Sequence, residues 1–307
     1  MILRRQFLHT AGTAAVVLPL LSRITSAAPI NNAIDAHVHV WTPDTKTYPL
    51  ASDYAVSDMA PPSFTPEELF EHCRPLGVNR VVLIQMSFYG FDNRYMLSVM
   101  ESHPGVFSGV GIVDPNAADT PKKMKSLAEQ GIKGFRLYSD KAQAEAWSNS
   151  ASAKAMWSTA ADTSQAMCLL ANPDSLPAIG RMCEKFPRTR VVIDHFARIG
   201  MTGSIEREDL DHLCRLAQYE NVFVKTSAFY ALGAKDPPYT DLAPMILRLV
   251  DAFGADRLMW ASDCPYQVQG KHTYAASIGL IRDHLPSLTA DQRTSLLQST
   301  AEKVFFS

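Results

Sequence analysis

Ile34-Asp35-Ala36-His37-Val38-His39-Val40 alternates apolar and polar residues with a period of two, the spacing of a β-strand. The alternation puts Ile34, Ala36, Val38 and Val40 on one face and Asp35, His37 and His39 on the other. A carboxylate and two imidazoles make a poor face for an ordinary core strand. They suit a barrel interior near its mouth, where two histidines spaced by two can grip one metal ion or one substrate carbonyl. A half-exposed edge strand with incidental histidines is the plainer alternative, and the rest of the chain decides between them.

Working outward, apolar strand-like runs recur near 34–40, 80–86, 108–113, 132–138, 167–171, 190–196, 222–228 and 258–263. Helix patterns fall between them: Pro66 to Leu76 with Thr65 as N-cap, Asn93 to Ser102, Pro121 to Gln130, Asp174 to Phe186, Glu206 to Tyr219, Asp241 to Phe253 and Thr273 to His284. Eight strands alternating with helices predict a single-domain (β/α)8 TIM barrel over residues 28–307. A doubly wound open sheet is the other arrangement with this order, but no Gly-x-Gly-x-x-Gly loop follows the first strand. The segment Trp41 to Ser63 is long for a strand-to-helix loop and reads as a lid carrying Tyr48 and Tyr54.

Composition excludes several function classes. The 307 residues are 47% hydrophobic and 20% charged with a formal charge of -2, an ordinary globular balance. No basic run beyond the N-terminal segment suggests nucleic acid as a partner, and no apolar stretch is long enough for a membrane span. Residues 1–27 read as a twin-arginine export signal: Arg4-Arg5-Gln6-Phe7-Leu8, an apolar run from Ala11 to Leu21, then Ser26, Ala27 and Ala28. Cleavage after Ala27 removes Arg4, Arg5 and Arg23 and takes the formal charge from -2 to -5. The expected destination is the periplasm, and the export machinery is an expected partner. Cys73, Cys168, Cys183, Cys214 and Cys264 are odd in number and scattered, unlike a disulfide framework.

In a barrel the C-terminal ends of the strands carry the chemistry. Those ends hold His37 and His39; Gln85, Ser87 and Tyr89; Arg136; Asp194, His195 and Arg198; Lys225, Thr226 and Ser227; and Asp263. Each has a local alternative: Asp263 as a helix cap, Arg136 as a structural arginine paired with Asp35 or Asp194, His195 as a satisfied core histidine.

These stretches resemble the amidohydrolase superfamily, in its amidohydrolase 2 branch. The likeness runs from Asp35-Ala36-His37-Val38-His39 through Asp194-His195 and Ser262-Asp263-Cys264-Pro265 to the closing Thr300-Ala301-Glu302-Lys303-Val304-Phe305. Within that branch the chain is most similar to the 2-pyrone-4,6-dicarboxylate lactonases, through Gln85-Met86-Ser87-Phe88-Tyr89-Gly90-Phe91-Asp92-Asn93, Ile112-Val113-Asp114-Pro115, Lys133-Gly134-Phe135-Arg136 and Ile193-Asp194-His195-Phe196-Ala197-Arg198. It departs from metal-loaded members, which place a histidine or modified lysine on strand four or five, where this chain has Arg136 and Leu169-Leu170-Ala171-Asn172. It also departs from the lactonase after strand seven, where Ser227-Ala228-Phe229-Tyr230 has no arginine.

The resemblance implies hydrolysis of a small carboxylated lactone such as a pyrone, muconolactone or sugar lactone. Asp263 is then the general base on a water, His37, His39 and His195 donate to the lactone carbonyl, and Arg136 and Arg198 hold a carboxylate, with Tyr54, Ser87 and Tyr89 as further substrate contacts. No metal is favoured; one zinc or manganese ion, if held, has His37, His39, Asp263 and His195 as its ligands. The alternatives are a metal-dependent decarboxylase of an aromatic or related acid and a non-catalytic periplasmic binding protein.

Overall fold

The eight apolar runs form eight parallel strands, β1 (Ala33–Val38), β2 (Val78–Ile84), β3 (Phe107–Gly111), β4 (Ile132–Ser139), β5 (Ala166–Ala171), β6 (Arg190–Ile193), β7 (Val222–Thr226) and β8 (Leu258–Trp260), hydrogen-bonded in sequence order. A computed structural model describes residues 32–307, so the twin-arginine segment at 1–27 lies outside the described residues. Between β8 and β1 the ring closes at its upper end. Val38 bridges Cys264, Asp263 N donates to His37 O at 2.9 Å and His39 N to Cys264 O at 2.8 Å. The fold is therefore the expected (β/α)8 barrel.

Around it lie α1 (Pro66–Cys73), α2 (Arg94–Ser102), α3 (Thr120–Glu129), α4 (Lys141–Trp147), α5 (Ala151–Asp162), α6 (Leu176–Lys185), α7 (Arg207–Arg215), α8 (Ala243–Phe253), α9 (Tyr274–Asp283), α10 (Ala290–Thr294) and α11 (Thr300–Phe305). Thr65 caps α1 as expected, in a reciprocal capping box with Glu68. The α4–α5 pair between β4 and β5 has no counterpart among the expected helices. Alanine-rich segments show weak apolar periodicity, and their starts are marked only by the caps Asp140 and Ser150.

Two apolar layers hold the barrel. A large one packs the outer strand faces against the helices. A smaller one fills the interior with Ile34, Ala36, Val82, Ile84, Val110, Cys168, Val192, Phe223 and Met259. It also takes in Ala301, Val304 and Phe305, so α11 plugs the N-terminal mouth. Arg190, at the start of β6, donates to Val304 O at 3.0 Å and pins the plug. Gly134 lets β4 approach β5: a Cβ there would stand 2.9 Å from Ala166 O.

One local departure shapes the site. Asp35 pairs with Val81 and Val38 with Leu83, so three residues of β1 oppose two of β2. This bulge breaks the expected alternation. Asp35 turns outward, where its carboxylate accepts from Tyr274 Oη at 2.7 Å, Ser262 N at 2.9 Å and His37 N at 3.1 Å. Ala36 and His37 both turn inward.

Candidate active site

The strands that carry the site end sooner than their apolar runs suggest. β6 stops at Ile193 rather than 196, β7 at Thr226 and β8 at Trp260. Beyond each, the backbone enters the left-handed region: His195, Phe196, Ala197 and Arg198 at φ 52° to 61°, Ala228 at 57° and Asp263 at 66°. Non-glycine residues rarely sit there, and such positions cluster at functional sites. The effect is to fold the side chains of His195 and Asp263 back over the barrel axis.

Asp263 is the hub. Its Oδ1 lies 3.5 Å from His37 Nε2 and 3.4 Å from His39 Nε2, while Oδ2 accepts from Tyr230 Oη at 2.7 Å and lies 3.8 Å from His195 Nε2. Burial alone would push this carboxyl up, but His195, His39 and His37 around it outweigh burial and hold it well below the usual carboxylate range. Asp263 is thus ionised at neutral pH.

The three histidines are not equivalent. His39 Nδ1 lies 2.8 Å from Ile84 O, an acceptor only, so neutral His39 spends its proton there and presents a lone pair at Nε2. The expectation that His39 donates to a substrate carbonyl therefore fails for the neutral ring. His195 Nδ1 is 2.7 Å from Ser227 Oγ, which leaves Nε2–H free toward the cavity when the serine donates. His37 is fully buried, with Nδ1 3.2 Å from Lys225 Nζ and Nε2 3.2 Å from His39 Nε2. Lys225 in turn pairs with Asp194 Oδ1 at 2.9 Å. Burial pushes the Asp194 carboxyl up, and Lys225 and His37 pull it well below its ordinary value.

The Amidohydrolase family model matches residues 34–306. The chain belongs to this family. It is 29% identical to the L-fucono-1,5-lactonase of Burkholderia ambifaria over 238 residues, covering 76% of this chain and 80% of that protein. It is 25% identical to the 2-pyrone-4,6-dicarboxylate hydrolase of Comamonas testosteroni over 285 residues, covering 89% and 90%. Among solved structures it resembles in fold an amidohydrolase from Burkholderia multivorans with bound zinc, at TM-score 0.75 and 20% identity, covering 90% of this chain and 99% of that one.

In this amidohydrolase the site opens into a cavity of about 600 Å³. His39, His195, Asp263, Arg136, Arg198, Tyr54 and Ser87 line it. Two expected residues do not. His37 lies one layer beneath, and Tyr89 points into the lid, where its hydroxyl accepts from Thr42 N at 3.3 Å. Tyr48 also faces away from the cavity, donating to Ser98 Oγ at 3.1 Å. Arg136 pairs with neither Asp35 nor Asp194; its nearest polar partner is His39 Nε2 at 3.4 Å. Arg198 is steadied by Asn172 Oδ1 at 3.1 Å. Tyr138, Tyr230 and Tyr266 also line the wall; Tyr138 sits within β4, and Tyr230 and Tyr266 sit several residues beyond the ends of β7 and β8, past the strand ends that the apolar runs mark. The cysteines are unpaired, and all but the half-buried Cys214 are buried, where a thiol packs as a small hydrophobe.

Could the amidohydrolase hold a metal? His37 Nε2, His39 Nε2 and Asp263 Oδ1 form a triangle with edges of 3.2, 3.5 and 3.4 Å. Two ligands on one tetrahedral zinc, at bonds of about 2.0–2.1 Å, stand about 3.3–3.4 Å apart. The spacing fits a divalent ion, and the lone pair on His39 Nε2 suits it.

Proposed function

We propose that this amidohydrolase hydrolyses a small carboxylated lactone. The observation that carries the reading is Asp263: an ionised carboxylate at the cavity floor, flanked by the His195 ring and facing a guanidinium, Arg136, that no carboxylate neutralises among the described residues. The named activities of the relatives, both lactone-type hydrolases, support the same class. Asp263 takes a proton from a water as the water's oxygen attacks the lactone carbonyl carbon. His195 Nε2–H donates to the carbonyl oxygen as it gains charge. The ring C–O bond then breaks, and the proton held on Asp263 passes to the departing oxygen. Arg136 and Arg198 hold the substrate's carboxylate, a planar two-point task for which guanidinium is better shaped than ammonium. Tyr54 and Ser87 complete the wall.

The test is a hydrolysis screen of carboxylated pyrones, muconolactones and sugar lactones with wild type and Asp263→Asn. Turnover is expected to fall at least about a thousandfold in the variant, with substrate binding retained. Near-normal rates in Asp263→Asn would remove Asp263 as the base.

The ligand triangle supports a second reading, metal-dependent decarboxylation of an aromatic or related acid. Bound there by His37, His39 and Asp263, a zinc or manganese ion would supply a Lewis acid and acidify a bound water. Elemental analysis of purified protein, run beside assays with and without chelator, separates the two. Chelator-resistant lactone hydrolysis with less than about a tenth of an equivalent of metal supports the first; one tight equivalent with activity lost on chelation supports the second. We also propose that residues 1–27 export the folded protein to the periplasm.

A further inference from the structure

Behind His37, out of reach of the cavity, lies a cation that the proposed hydrolysis does not use. Lys225 Nζ is fully buried inside the barrel, 2.9 Å from Asp194 Oδ1 and 3.2 Å from His37 Nδ1. A buried ammonium is tolerated when a carboxylate pairs with it, and Asp194 supplies that charge. An ammonium has only protons to offer, so its approach to Nδ1 calls for a lone pair there. The competing acceptor for a proton on Nδ1, Asp194 Oδ1, stands at 3.6 Å, farther from Nδ1 than the ammonium.

An imidazole that accepts at Nδ1 carries its proton on Nε2. In His37 that proton points between His39 Nε2, at 3.2 Å, and Asp263 Oδ1, at 3.5 Å. His39 is ready to receive it, because its own proton is spent on Ile84 O.

We propose that Lys225, anchored by Asp194, is a positioning residue that holds the His37 proton on Nε2, inside the His37, His39 and Asp263 triangle, where it stands in for a divalent cation. For a metal to enter, the proton must move to Nδ1, displacing Lys225 and turning toward Asp194. Metal competence is thus set by a side chain that touches neither metal nor substrate. The assignment of the His37 proton stands by itself; its consequence for turnover rests on the lactone-hydrolase reading.

The test uses metal-free protein labelled with 15N-histidine, in wild type, Lys225→Met and the uncharged pair Lys225→Met/Asp194→Asn, which keeps an amide oxygen where a proton on Nδ1 would turn. Long-range proton–nitrogen correlation spectra identify the protonated nitrogen of His37, and competition with a chromophoric chelator gives the zinc affinity. Expected are an Nε2–H His37 in wild type and zinc affinity raised about tenfold or more in the variants. Should unpaired Asp194 prevent Lys225→Met from folding, the double variant carries the zinc titration and the wild-type spectrum still decides the tautomer. A wild-type His37 protonated on Nδ1, or zinc affinity that does not rise on removing the ammonium, overturns the proposal. An Nε2–H His37 in a protein that opens no lactone upholds it while removing the lactone reading.

Discussion

Tyr230 donates its phenolic proton to Asp263 Oδ2 at 2.7 Å, which ties down one oxygen of the carboxylate and leaves Oδ1 facing His37 and His39. Burial and the neighbouring carboxylate push the Tyr230 hydroxyl far above its ordinary value, so it stays a donor throughout the working pH range. Hydrogen bonds to charged groups are worth about 1.5–3 kcal/mol. Tyr230→Phe is therefore expected to lower kcat about 10- to 100-fold on the lactone identified by the screen, with KM nearly unchanged. A raised KM at unchanged kcat would instead make Tyr230 a substrate contact.

Arg136 faces the cavity from β4 with no carboxylate partner among the described residues. Arg136→Lys keeps the charge but loses the fork, and Arg136→Met loses both. The expected order is a KM raised about tenfold in the first and a hundredfold or more in the second on a carboxylated lactone, with little change on a neutral one. Equal losses on both substrates would remove Arg136 from carboxylate binding.

Asp35 ties β1 to the segment that follows β8 and to α9, accepting from Ser262 N and Tyr274 Oη as well as from His37 N in its own strand. Asp35→Ala is expected to cost about 3 kcal/mol or more in a urea melt, since the donors from His37, Ser262 and Tyr274 lose their acceptor. Burial pushes this carboxyl up to about 6, against the pull of those donors. The folded state thus keeps a proton that the unfolded chain has released. Asp35's contribution to stability is largest below about pH 4 and is lost as pH rises to about 6, by about 3 kcal/mol in all. Asp35→Asn, neutral throughout, should remove that part of the slope; an unchanged slope between pH 4 and 7 would refute the assignment.

Export is testable without any assay of turnover. Replacing Arg4 and Arg5 by lysine should retain the protein in the cytoplasmic fraction of the source cell type, while the unaltered chain is recovered from the periplasm and shortened by about 27 residues. Equal periplasmic recovery of both proteins would rule out the twin-arginine route.

Much of this molecule is readable from local pattern. Period-two and period-3.6 apolar runs place all eight strands and most of the helices, because each element must bury one face. The excess of polar residues after those runs picks out His39, Arg136, His195, Arg198 and Asp263, which meet in one cavity. Tyr89 carries the same signal yet serves the lid, because a polar residue at a strand end advertises exposure to one end of the barrel and not direction within it.

What only the tertiary structure decided lies in register and long-range pairing. The bulge in β1 sends Asp35 outward and His37 inward, against strict alternation, and bulges depend on the neighbouring strand rather than on the residues that bulge. Lys225 meets His37 across 188 residues, and Tyr230 reaches Asp263 across 33. Alternation records which face a side chain takes; which buried proton finds which lone pair depends on barrel closure, where desolvation leaves each polar atom only the partners packed against it.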